Sequence, residues 1–177
     1  MNAGLVFPEN RLIWNGRRMR CALGKGGIRA DKREGDGATP TGFYPFRRVF
    51  HRPDRLPFPE CALPVDALTP ADGWCDDPAH PDYNRFVTLP HPARCEHLWR
   101  DDGVYDLIVV LGHNDDPPKA GLGSAIFLHL AHPDFRPTEG CVALGLSDLL
   151  ALLAAARPGD GLQISATANA SGFDPLA

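Results

Sequence analysis

GSAIFLHLAHPDFRPTEGCVAL, residues 123–144, is the stretch on which the fold and the chemistry both turn. Residues 125–131 (AIFLHLA) are apolar apart from His129, the pattern of a strand buried on both faces with one polar side chain turned toward something that needs it. Pro133 and Pro137 then force an irregular return to Thr138-Glu139-Gly140-Cys141. A cysteine thiol is mostly protonated at neutral pH, so a Cys nucleophile needs a neighbouring base, and His129 is the candidate. Gly140 lets backbone approach a bound carbonyl, and successive N–H groups at such a turn can hold an oxyanion. On spacing alone, an inert buried thiol beside a satisfied core histidine fits the same residues.

Outward from this stretch, residues 105–112 (YDLIVVLG) form the clearest central strand. Residues 147–156 (SDLLALLAAA) predict a buried helix with Ser147 as its N-cap and an acidic first turn. Pro158-Gly159-Asp160-Gly161 stops it, residues 162–166 read as a last strand, and the small polar tail from Thr167 onward reads as loosely held. Toward the N-terminus, residues 11–14 and 18–22 flank Asn15-Gly16, a two-residue hairpin signal. The GKGG run, residues 24–27, lacks the spacing of a phosphate loop and reads as a turn. Residues 34–42 form a Gly- and Pro-dense turn ahead of an aromatic strand at 42–50, and residues 51–97 read as long loops.

The chain of 177 residues fits one domain, 1–177, and its 18 Pro and 18 Gly favour turns and short strands. A net charge of −4 gives no basic footprint for nucleic acid. No run approaches a membrane span, and residues 1–20 lack the apolar core of a signal peptide, so a cytoplasmic setting is expected, or a periplasmic one if a leader has been removed. Five scattered cysteines without a C-x-x-C pair argue against a disulfide framework. His91, Cys95 and His97, with a fourth ligand from Cys75 or His80, raise a metal question. Their intervals match no usual zinc pattern, so no metal and no cofactor is expected.

The strand His, the intervening loop and Thr-x-Gly-Cys-Val resemble the signature of the L,D-transpeptidase (YkuD-like) catalytic domain, in its PTxGCVAL subgroup. The likeness extends to residues 32–46 (KREGDGATPTGFYPF), residues 74–87 (WCDDPAHPDYNRFV) and residues 105–115 (YDLIVVLGHND), covering roughly residues 20–155. It implies a mainly β fold, a curved β-sandwich of mixed sheets with one substantial helix after the catalytic Cys. It implies catalysis by Cys141 as nucleophile, His129 as base and the backbone at Gly140 as oxyanion holder, with His129 oriented by the carbonyl of Leu130 or a neighbour. The substrate implied is a peptidoglycan peptide stem, cut between its third residue, a diamino acid, and D-Ala, with carbapenems as covalent inhibitors. Thr138, Glu139, Arg136, His113 and Lys32 are the candidate substrate contacts, and Glu34 and Asp36 border the same groove. The motif departs from its common form, which has His at Glu139 and Arg at Ala143; Arg136 is the nearest cation in sequence to replace that Arg.

Four outcomes stay open. Water as acceptor makes the protein an L,D-carboxypeptidase of murein recycling, the favoured expectation. A second stem makes it an exported, cross-linking transpeptidase. A third reading is a catalytically weak binder of wall peptides, and a metal hydrolase built on His91, Cys95 and His97 stands further off.

Overall fold

The computed structural model describes residues 1–167; the expected loose tail falls almost wholly outside them. Its strands are β1 (Ala3–Phe7), β2 (Arg11–Trp14), β3 (Arg17–Ala22), β4 (Ile28–Arg29), β5 (Thr39–Pro40), β6 (Gly42–His51), β7 (Val65–Ala67), β8 (Asp72–Cys75), β9 (Phe86–Thr88), β10 (Cys95–His97), β11 (Leu107–Leu111), β12 (Phe127–Leu130), β13 (Val142–Leu144) and β14 (Gly161–Ile164), with α1 (Leu146–Ala155) between the last two. Among the described residues the protein is mainly β with one helix, as expected. No helix among the described residues is long and apolar enough to cross a membrane.

Asn15 and Gly16 both have positive φ, 47° and 78°, as the hairpin between β2 and β3 requires. The chain does not open with that hairpin, however. β1 precedes it, antiparallel to β2 and parallel to β14 from the far end of the chain. Two strands join the layers of the sandwich. β6 pairs with β14 through residues 42–45 and with β11 through residues 46–51, and β3 pairs with β2 and then, at Cys21 and Ala22, with β13. The order β11-β12-β13-β3-β2-β1-β14-β6 therefore closes back on β11 in a hydrogen-bonded ring.

Alternation along the central strands divides the interior. Leu107, Val109 and Leu111 of β11, Leu128 of β12, and Val142 and Leu144 of β13 belong to one aliphatic cluster, together with Leu149, Leu152 and Leu153 of α1. Ile108, Val110, Phe127 and Cys141 belong to a second, shared with Trp74, Leu98 and Tyr105. α1 starts one residue before the expected cap: Gly145, not Ser147, is the N-cap, and no side chain caps it. Glycine in place of a polar cap costs only about a few tenths of a kcal/mol, while each fully buried leucine contributes about 1.5–3 kcal/mol, so the docked face outweighs the cap.

Residues 51–97 hold more structure than their composition predicts. β8, β9 and β10 form a separate antiparallel sheet in the order β10-β8-β9. It rests on the second cluster through Trp74, whose ring meets Phe127 edge-on at 5.0 Å, and it becomes one wall of the site.

Candidate active site

His129 and Cys141 share one face of the sheet. β12 and β13 run parallel with His129 opposite Ala143, and Cys141 lies two residues before Ala143, so the pleat turns it to the same side. Both side chains line one cleft of about 630 Å³. Nδ1 of His129 lies 2.9 Å from the carbonyl of Leu130. A carbonyl only accepts, so Nδ1 carries the hydrogen and Nε2 is left with its lone pair. Burial pushes His129 down to about 4, with the charges of Arg100 and His132 adding to the effect and the Leu130 bond opposing it. The edge of the ring meets Tyr105 at 5.2 Å.

The thiol of Cys141 donates to the carbonyl of Ala125 at 3.2 Å and accepts from the amide of Phe127 at 3.4 Å. Burial, with the Glu96 carboxylate adding to it and the Phe127 amide, Lys32 and Arg100 opposing, pushes it up to about 12. In the resting protein the pair is therefore neutral thiol and neutral imidazole. Ala125 is itself held at positive φ, 51°. Its amide donates to Oδ1 of Asn84 at 3.1 Å, and the same oxygen accepts from Trp74 Nε1 at 2.9 Å. Nδ2 of Asn84 donates to the carbonyls of His113 and Asn114. One buried amide side chain thus ties the β8–β10 sheet to the backbone beneath the sulfur.

The turn that leads into Cys141 is strapped from both sides. Gly140 has φ +135°, and a Cβ there would sit 2.8 Å from the Ala38 carbonyl oxygen. A Cβ on Gly24 would meet the Gly37 oxygen at 2.3 Å and the Gly140 Cα at 2.9 Å. Gly24 of the GKGG run serves this close approach: Lys25 N–H donates to the Thr138 carbonyl and Thr138 N–H to the Leu23 carbonyl. The Thr138 hydroxyl donates to the Cys141 carbonyl at 2.6 Å and accepts from the Gly140 amide at 3.1 Å. Thr138 lines the cleft, as the other expected contacts of this loop do, and its hydroxyl also shapes the turn, so the Gly140 amide is committed to it.

The other expected contacts divide. Lys32 lines the cleft, but its ammonium is buried and bonded to Asp36 and to the Arg33 carbonyl. Asp36 also accepts from the Arg33 and Ala38 amides, which makes it a turn residue. Glu34 lines the cleft and accepts from Ser124 at 2.8 Å and from the Tyr83 hydroxyl. Glu139 lies at the rim, its exposed carboxylate paired with Lys25 at 2.8 Å. Arg136 lines the cleft with one guanidinium nitrogen 3.0 Å from His132 Nε2. His113 does not join them: its Nε2 faces the Leu122 carbonyl at 3.0 Å and its ring packs edge-on to Tyr44, because the turn after β11 carries it away from the cleft.

Sequence reasoning missed the groups on the opposite wall. Glu96 accepts from the Tyr105 hydroxyl at 2.7 Å, and burial raises its carboxyl above the usual range. Arg100 lies over the Tyr105 ring, pairs with Asp102 and reaches 3.8 Å from Glu96. Its charge bears on both His129 and Cys141. Ala143, where the common motif has Arg, is sealed at 1% exposure, so Arg100 and Arg136 are cations that reach the cleft from other elements. The His91-Cys95-His97 trio does not assemble; Cys75, His91 and Cys95 do, with ligand atoms within 4.8 Å of one another.

Comparison with known proteins gives no match among curated sequences. Among solved structures, the helical cell shape determining protein Pgp2 from Campylobacter jejuni is similar at a TM-score of 0.47 and 14% identity, over 94% of this chain and 48% of that one. This chain thus spans about half the length of that relative. A family model for the L,D-transpeptidase catalytic domain matches residues 4–164. That match takes in both strand and nucleophile turn of the cleft just described, and the chain belongs to the YkuD family of L,D-transpeptidase catalytic domains.

Proposed function

We propose that the protein cleaves the bond between the diamino acid and D-Ala of peptidoglycan tetrapeptide stems through a Cys141 thioester. The observation that carries this is the shared face: a thiol and an imidazole with its lone pair on Nε2 line one cleft on adjacent strands. Substrate displaces the Ala125 bond of the thiol, His129 Nε2 takes the proton, and the sulfur attacks the carbonyl carbon. The Gly140 amide being engaged by Thr138, we assign the Cys141 amide as the oxyanion donor. The imidazolium then gives its proton to the departing D-Ala amine. Arg100 and Arg136 supply positive charge for the stem carboxylates, and Glu34 and Glu96 supply negative charge for the free amine of the diamino acid.

For the acceptor we put water first, giving a free tripeptide and an L,D-carboxypeptidase acting on wall fragments in the cytosol; cross-linking by a second stem outside it is the alternative. Incubation with a tetrapeptide stem tests the reading. D-Ala release by wild type, none by Cys141→Ala, and a mass increase at Cys141 with a carbapenem are the expected results. Free tripeptide marks hydrolysis and a dimer marks transfer. A protein that binds the stem but neither releases D-Ala nor forms an adduct is a wall-peptide binder, and the proposal falls.

A further inference from the structure

We propose that Cys75, Cys95 and His91 form a binding site for a thiophilic divalent cation of the zinc class, on the side of the β8–β10 sheet turned from Trp74 and Glu96. The register places Cys75 directly opposite Cys95. The loop from β9 to β10 returns His91 so that its Nδ1 lies 3.4 Å from Cys95 Sγ, and all three ligand atoms fall within 4.8 Å of one another. Tetrahedral zinc, with bonds of about 2.0 Å to nitrogen and 2.3 Å to sulfur, holds neighbouring ligand atoms roughly 3.5 Å apart. The cluster is thus close to coordination spacing.

The imidazole is in the required tautomer. Its Nε2 lies 3.2 Å from the Asp82 carboxylate, which only accepts, so Nε2 carries the hydrogen. Nδ1 keeps its lone pair on the side of the sulfurs, and the Ala93 amide, pointing at Nδ1 from 3.2 Å, confirms an acceptor there. A cation displaces that weak bond. The Asp82–His91 pair is the arrangement that orients a metal-ligating histidine and raises its basicity. Two sulfurs and one nitrogen select zinc-like ions over magnesium or calcium, and the fourth position falls to solvent. Each thiol that ligates releases its proton to solvent, with no change of oxidation state.

The position gives the site a use. In the register, Glu96 stands opposite Trp74 between the Cys75–Cys95 and His97–Gly73 pairs, so the cation would staple the strands whose other face brings Glu96 to Tyr105 and Trp74 to Phe127. The inference stands apart from the acyl-transfer reading, since neither Cys141 nor His129 takes part.

Cobalt(II) titration of the whole chain, in a phosphine reductant and free of thiols, tests it. Expected are one equivalent bound, visible bands of tetrahedral cobalt with a near-ultraviolet thiolate band, displacement by zinc, and a higher melting temperature with zinc. Cys75→Ser and His91→Ala should lose the bands, and Asp82→Asn, which leaves all three ligands in place, should weaken zinc binding about tenfold or more. The proposal is overturned by the absence of a thiolate band in wild type or by a band that survives Cys75→Ser. It is equally overturned by a Cys75–Cys95 disulfide that persists under the reductant, seen as an intact mass short of two hydrogens.

Discussion

Cys21 and Cys141 are the same group in two surroundings. Burial pushes both thiols up to about 12. Cys21, fully buried on β3 opposite Leu144, sits among the aliphatic side chains of the first cluster, and burial alone accounts for its shift. Around Cys141 burial is reinforced by Glu96 and opposed by the Phe127 amide, Lys32 and Arg100. A raised pKa therefore does not mark the proposed nucleophile. What marks it is the convergence of polar groups on a sulfur that also borders an open cleft.

The sharpest way to break this contrast is to remove each sulfur in turn. Cys141→Ala should lower D-Ala release on the order of 10³-fold or more with little change in melting. Cys21→Ala should leave release intact and cost about 1 kcal/mol of stability by denaturant melts; comparable catalytic losses from both would erase the distinction.

His129→Gln should lower release by about 10²–10⁴-fold, and it should also change the acid limb of stability. With a folded pKa near 4 against 6.5 for the free group, the unfolded chain takes up the proton first as pH falls. The stabilisation is full above pH 6.5 and is lost toward pH 4, by up to roughly 3 kcal/mol. Denaturant melts across that window should show the slope in wild type and its disappearance in the variant.

Asn84→Ala strips the partners of Trp74 Nε1 and the Ala125 amide, and should cost about 1–3 kcal/mol while slowing D-Ala release. Alkylation of Cys21 in the folded protein should stay undetectable. Smallest of all, Glu96→Gln removes the negative charge that raises the Cys141 thiol, so alkylation of Cys141 by iodoacetamide at neutral pH should quicken a few-fold. A slower reaction would show that Glu96 does not act on the sulfur through its charge.

Much of the centre was legible because burial writes itself into composition. The unbroken apolar run of β11 and the single polar residue of β12 announce strands covered on both faces, and Asn15-Gly16 announces its turn. β1 was not legible, since it pairs with β14 from the opposite end of the chain. Nor was the β8–β10 sheet, whose strands of three or four residues are held by packing of Trp74, not by propensity. The site divided the same way. Cys141 and His129 carry a local signature, whereas Glu96 and Arg100 reach the cleft only because that small sheet docks. Thr138 shows the converse, a motif residue that lines the cleft while its hydroxyl also bonds the backbone of its own turn, a task its place in the motif does not announce.

The passage of β3 and β6 between layers leaves β12, which carries His129, and β13, which follows Cys141, midway around a circuit with no seam to part. Amide hydrogens of Leu128 and Val142 should exchange with deuterium only when the whole molecule opens, while those of residues 76–94 exchange early. A protease given brief access should nick that outlying segment first, and because Asn84 lies within it, D-Ala release should fall with the cut.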